Sequence, residues 1–181
     1  MHDLGQQILI LSKHQHLLGA RILLRSAIET LATLIYLNQK MDAVIAWNLS
    51  FFAFDDLTMQ LLMGSRNRAT SQIAINILTV LAKAEKKHPG LVSMHERLSE
   101  SAHPNFDGVL YTYSASDPDK YETRFLNRWV ELFGAEQEPA MAFVFAVFES
   151  EYNDVWPNLF EKLESWLRDN DAELEKQRNG I

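Results

Sequence analysis

Apolar residues recur at helical spacing along nearly the whole chain. Leu17, Leu18, Ile22, Leu24, Ile28, Leu31 and Ile35 cover more than half of a helix circumference, which predicts a long, largely buried helix from Gln6 to about Leu37. Asn38 to Asp42 is short and polar and reads as a turn. Val44, Ile45, Leu49, Phe52, Leu57, Leu61 and Leu62 then outline a second helix ending near Gly64. Thr70 or Ser71 suits the N-cap of a third helix, with Ile73, Ile77, Val80, Leu81 and Ala84 on one face. Lys86-Lys87-His88-Pro89-Gly90 ends it, and a short fourth helix covers Leu91 to Ala102. Asn105 to Lys120 has no helical period; Val109 to Tyr113 predicts a short extended piece and Ser114 to Asp119 a turn. Tyr121 to Phe133 predicts another helix, stopped at Gly134. Glu138-Pro139 opens the last long helix, which Trp156-Pro157 should kink or split. The charged tail from about 169 to 181 is expected to fray. The fold class is therefore all-α: a single domain over 1–181, an up-and-down bundle of roughly five to seven helices with one long loop at about 104–120.

One polar line interrupts the first helix. Arg21, Arg25, Glu29 and Thr33 follow one another at intervals of four and project from one face. Because charge is costly to bury unpaired, Arg25 and Glu29 are read as an ion pair, either at the edge of the core or lining an internal polar site. Composition narrows the chemistry. With 181 residues, 47% hydrophobic, the chain can bury a real core. The formal net charge of −7 argues against a broad nucleic-acid footprint. Arg66-Asn67-Arg68 is a small basic loop, read as solvated, with a phosphate site as the alternative. The lack of cysteine excludes disulfides, thiolate metal sites and cysteine nucleophiles. Met1 to Gln6 lacks a signal-peptide pattern and no run is apolar enough to span a bilayer, so a cytoplasmic protein without a membrane partner is expected.

Two Glu-x-x-His pairs, Glu85/His88 and Glu100/His103, have the ligand spacing of di-iron bundles, with Glu29 and Glu149 as further ligands. The pairs lie too close in sequence to occupy separate long helices, and His88 precedes a Pro-Gly stop. A di-metal carboxylate protein is therefore the third reading, and no metal or other cofactor is assigned.

The densest polar stretch is Glu96 to Gly108. Pro104 pushes His103 out of the α region, so the helix carrying Arg97, Ser99 and Glu100 should stop there. On a continuous helix Arg97 and His103 would diverge by about 120°. A released imidazole can swing back towards the guanidinium, with Ser99 and Glu100 as its natural partners. Glu100 would orient and charge it as a general base near neutral pH. The alternative is that His103 caps the helix and anchors the loop.

Arg97-x5-His103 resembles the Arg-x(4–6)-His signature of the HEPN superfamily of helical domains, several of which are metal-independent ribonucleases of toxin–antitoxin and phage-defence systems. Leu98 stands where those nucleases usually carry a polar residue. Leu24-Arg25-Ser26-Ala27-Ile28-Glu29 together with Arg97 to Pro104 also resembles a bacterial helical family of unassigned function. That family has an Arg-x3-Glu helix and a Ser-x3-His-Pro helix end, and the likeness spans roughly residues 15 to 115. The resemblance implies an HEPN-like fold in which Arg25, Glu29, Arg97 and His103 converge. His103 would be the acid/base, Arg97 the phosphate clamp, and Arg25 and Glu29 the scaffold. RNA would be the substrate, a homodimer would complete the site, and an antitoxin or other protein partner is a further expectation. The competing reading is a non-catalytic helical interaction module whose Arg/Glu/His cluster is structural.

Overall fold

The computed structural model describes residues 1–65, 67 and 69–179. Arg66 and Arg68 of the basic loop lie outside the described residues, as does the end of the tail. The chain is mainly helical, as the periodicity predicts. Its elements are α1 (His2–Lys13), α2 (Leu17–Ile45), α3 (Phe51–Met63), α4 (Ile77–Ala84) and α5 (Leu91–Ala102). A π-helical turn (Phe106–Leu110) and the single turn α6 (Tyr111–Tyr113) follow, then a hairpin of β1 (Ser114–Asp117) and β2 (Glu122–Phe125). Helix α7 (Trp129–Ser150), a second π-helical turn (Glu151–Val155) and α8 (Trp156–Arg178) complete the order. Among the described residues no helix is long and apolar enough to cross a membrane.

Several boundaries depart from the sequence expectations for identifiable reasons. The first helix breaks at Gln15, which sits at φ 61° between α1 and α2. Asn38 makes no turn: its amide donates to the Glu151 carboxylate at 2.9 Å inside the protein, and α2 runs on to Ile45. Trp47, at φ 60°, provides that break instead. Helix α4 starts at Ile77 with Asn76 Oδ1 accepting from Leu78 N–H, while Thr70 is used within the preceding loop, donating to the Met63 carbonyl. The extended piece expected at Val109–Tyr113 is helical, and the helix expected at Tyr121–Phe133 is a strand followed by the start of α7. Helix α7 passes through Gly134 and Pro139, because buried anchors on both sides, Trp129 and Val144, carry it across the missing N–H. The tail is helical to Arg178.

Contacts divide the chain into two compact units: Met1–Ala32 with Leu81–Val147, and Thr33–Val80 with Phe148–Ile181. The second unit is built on Met41, Val44, Phe54 and Leu163, flanked by Leu37, Trp156 and Trp166. Ser50 caps α3, its Oγ accepting from Ala53 N–H, and Gly64 ends that helix as expected. Glu151, the first residue of its π-helical turn, and its partner Asn38 are buried in this unit, shortly before Pro157 at the start of α8.

The first unit carries the focal stretch. Ile8, Leu24, Ile28, Leu81, Leu91, Leu98, Trp129 and Val144 are buried there. Gly5 lets α1 approach the Phe145 ring so closely that a Cβ would lie 2.8 Å from it. The turn into α5 is fastened by Glu85, whose carboxylate accepts from Gly90 N–H and Val92 N–H, both at 2.9 Å. These bonds to the orphan amides of a helix start hold the Glu85 carboxyl below its ordinary value of 4.5. Its contribution to stability is complete above that value and disappears as the pH falls through the lowered pKa. Replacing Glu85 with Gln should therefore flatten the acid limb of the unfolding curve below about pH 4.5, with little change in slope near neutrality. Denaturant midpoints of wild type and variant across that range check this; parallel curves would show that the cap does not carry the shift.

Candidate functional site

The polar line of α2 meets α5 as a ladder. Glu29 Oε1 lies 2.9 Å from His95 Nε2 and 2.8 Å from Arg25 Nη2. Arg25 Nε donates to Ser99 Oγ at 2.9 Å, and Ser99 Oγ donates to the His95 carbonyl at 2.7 Å. Arg21 Nε donates to Ser101 Oγ at 2.8 Å, and its Nη2 reaches the Arg97 carbonyl at 3.4 Å. Residue numbers fall along α2 while they rise along α5, so the helices run antiparallel. A carboxylate can only accept, so His95 Nε2 carries the hydrogen of its bond to Glu29. His95 and Arg21 are buried. The Phe133 ring covers the Arg21 guanidinium, 4.3 Å from its centroid. Burial lowers the Arg21 pKa, the Glu136 carboxylate opposes this, and the Arg97 charge adds to it.

Beyond Arg21 the surface opens into a small cleft of about 210 Å³ lined by Arg97, Glu100, Asp107, Tyr111 and Glu136. Arg97 Nη1 is 3.7 Å from Glu136 Oε2, an exposed pair of the kind that adds little stability. His103 is not in that lining. Pro104 does release it, since it caps α5 in extended conformation at φ −93°, but its side chain faces solvent. Its expected partners are used elsewhere. Ser99 belongs to the Arg25 ladder, and Glu100 accepts from the Asn105 amide. The fold thus brings Arg25, Glu29 and Ser99 together, while Arg97 and His103 stand apart from them and from each other.

His95 is the member that sequence reasoning passed over. It lies four residues after Leu91 and four before Ser99, on the buried face of α5, and that spacing was the available signal. Ser101 and Arg128 are also unforeseen. Arg128 ties the hairpin base to α7, donating to the carbonyls of Tyr111 and Ser114 and pairing with Glu131 at 2.8 Å.

The metal reading finds little to build on. Both Glu85 oxygens are occupied by backbone amides, and Glu29 by Arg25 and His95. Among the described residues no three His, Asp or Glu side chains are placed to share an ion.

The segment after α5 is fastened by its own local contacts. Asn105 Oδ1 accepts from Gly108 N–H at 2.8 Å, and Gly108 lies against the His103 carbonyl, where a Cβ would be 1.9 Å from the oxygen. The segment so anchored presents Phe106, Val109, Leu110, Tyr121, Phe125 and Leu126 to solvent. Protein-family models, curated proteins and solved structures all fail to yield a match to this chain.

Proposed function

We propose that the protein is a non-catalytic helical interaction module. The α2–α5 ladder is its frame and the segment from Phe106 to Leu126 its working surface. The observation that carries this reading is the exposure of large apolar side chains on one anchored segment: Tyr121 is 97% exposed, Phe125 84% and Phe106 61%. A soluble chain seldom displays such a concentration without something to cover it. In the polar cluster, by contrast, Arg25, Glu29, His95 and Ser99 bond one another.

An HEPN-like ribonuclease remains the second reading, on one observation: Arg97 lines an open cleft and His103 is solvent-exposed, as a site completed by a second subunit would need. One experiment separates them. Wild type and His103→Ala are incubated with a panel of single-stranded and structured RNAs in the presence of chelator. In parallel, both proteins and a Phe106→Ser/Phe125→Ser variant are titrated with the dye anilinonaphthalene sulfonate. The module reading expects no cleavage, and dye fluorescence that the double Ser variant loses without a change in far-ultraviolet circular dichroism. Chelator-resistant cleavage that disappears in His103→Ala would replace it with the ribonuclease.

A further inference from the structure

Among the described residues strand β2 has one neighbour, β1. The ladder pairs Ser114 with Phe125, Ala115 with Arg124, Ser116 with Thr123 and Asp117 with Glu122. Leu126 N–H continues it, donating to the Tyr113 carbonyl at 3.0 Å. Backbone groups alternate in direction along an antiparallel strand. Leu126, Arg124 and Glu122 therefore turn their N–H and C=O towards β1, and Thr123 and Phe125 turn theirs to the open edge. All four residues of β2 are exposed. Such an edge is a template for another strand.

We propose that the edge of β2 pairs antiparallel with β2 of a second copy of this chain, about a two-fold axis at Thr123. The inference rests on the reading of Phe106–Leu126 as an interaction surface and names its partner. Symmetry and backbone direction leave few registers, because outward-facing residues must meet outward-facing residues. An axis at Glu122 sets two carboxylates opposite each other, and an axis at Arg124 sets two guanidinium groups opposite each other. Like charges directly opposite are unfavourable. Only the axis at Thr123 places Glu122 across from Arg124 of the partner subunit, and Arg124 across from the partner subunit's Glu122. It also lets Thr123 exchange both backbone bonds with its own copy.

The same register brings Tyr121, which immediately precedes the strand, alongside Phe125 of the partner subunit, and the reciprocal pair forms at the other end. Alternation puts Thr123 and Phe125 on one face and Glu122 and Arg124 on the other, while Tyr121, at φ 53°, sits in the turn just before the strand. The two most exposed large apolar side chains of the described residues, Tyr121 and Phe125, thus stand at the ends of the paired stretch. Within one chain Glu122 faces Asp117 across the hairpin, an unfavourable neighbour, while Arg124 only grazes Glu122 at 3.5 Å. The second copy supplies each with a cation or carboxylate directly opposite. A short edge of this kind makes a small interface, so association is expected to depend on concentration.

The test is the mass in solution over a wide concentration range, by sedimentation equilibrium. Wild type should approach twice the 20.8 kDa of the chain. Glu122→Arg and Arg124→Glu should each weaken association by about tenfold or more, since two cross-strand pairs become repulsive in each. Mixing those two variants should restore it, because each now opposes the other's charge. Thr123→Pro, which removes an outward N–H, should be monomeric with unchanged circular dichroism. A wild type that stays at 20.8 kDa throughout overturns the pairing. So does a dimer unmoved by the charge variants, or one that the mixture fails to rescue. The broader reading fails separately, on RNA cleavage or on the absence of dye binding.

Discussion

Replacing Glu29 with Ala should lower the melting temperature by about 5–15 °C. The carboxylate is the shared acceptor of the ladder, 2.8 Å from Arg25 and 2.9 Å from His95. Removing it leaves a His95 N–H without its acceptor in the interior and a guanidinium without its counter-charge. Breaking a fully buried pair costs about 3–5 kcal/mol. The Arg25 and Glu29 side chains keep 32% and 25% of their exposure, which brings the expectation down to about 2–4 kcal/mol. Replacing the set together, Arg25→Met, Glu29→Leu and His95→Phe, should cost far less than Glu29→Ala, because no polar group is then stranded. Thermal unfolding followed by circular dichroism distinguishes the cases. A Glu29→Ala protein that melts within about 2 °C of wild type would mean that the ladder is not a structural frame.

Gly108→Ala should be comparably harmful for a different reason. Its Cβ would sit 1.9 Å from the His103 carbonyl oxygen and 3.0 Å from that of Glu100. Both are backbone atoms at the end of α5, so no side chain can move aside; the π-helical turn itself must lift away. The expected cost is about 3 kcal/mol, at the upper end for overpacking. Lifting the turn also breaks the Asn105–Gly108 bond. The readout is a lower denaturant midpoint, accompanied by faster amide exchange between Asn105 and Thr112. A variant with the wild-type midpoint would show that the close approach is not required.

These two sites also mark where sequence reasoning reaches and where it stops. The end of α5 at His103 was legible because Pro104 acts on its immediate neighbour. Gly64 as a helix end and the break ahead of Pro157 are local in the same sense. The pairing of Arg25 with Glu29 followed from helical spacing alone. Asn38 was misread because its place in mid-helix is justified by Glu151, more than a hundred positions away. The segment Tyr121–Phe133 was misread because Glu122–Phe125 is recruited by β1, so that only Trp129–Phe133 enters a helix, the start of α7. His95 was missed because the only local sign of it is its spacing from Leu91 and Ser99, while the partner that gives it a role, Glu29, is on another helix. The imidazole next to the proline was the more conspicuous histidine, and it is the one that faces water.

Amide hydrogen exchange across Glu96–Leu126 in Arg21→Met and His103→Ala tests most directly whether the part-buried ladder acts as a frame for the exposed segment. Arg21 grips Ser101 and the Arg97 carbonyl near the end of α5, just before the anchored turn. The account predicts exchange at least tenfold faster through Asn105–Thr112 in Arg21→Met, from a local opening made easier by about 1.4 kcal/mol or more. It predicts a wild-type pattern in His103→Ala. Wild-type protection in Arg21→Met, or loosening centred on the His103 variant, would contradict it.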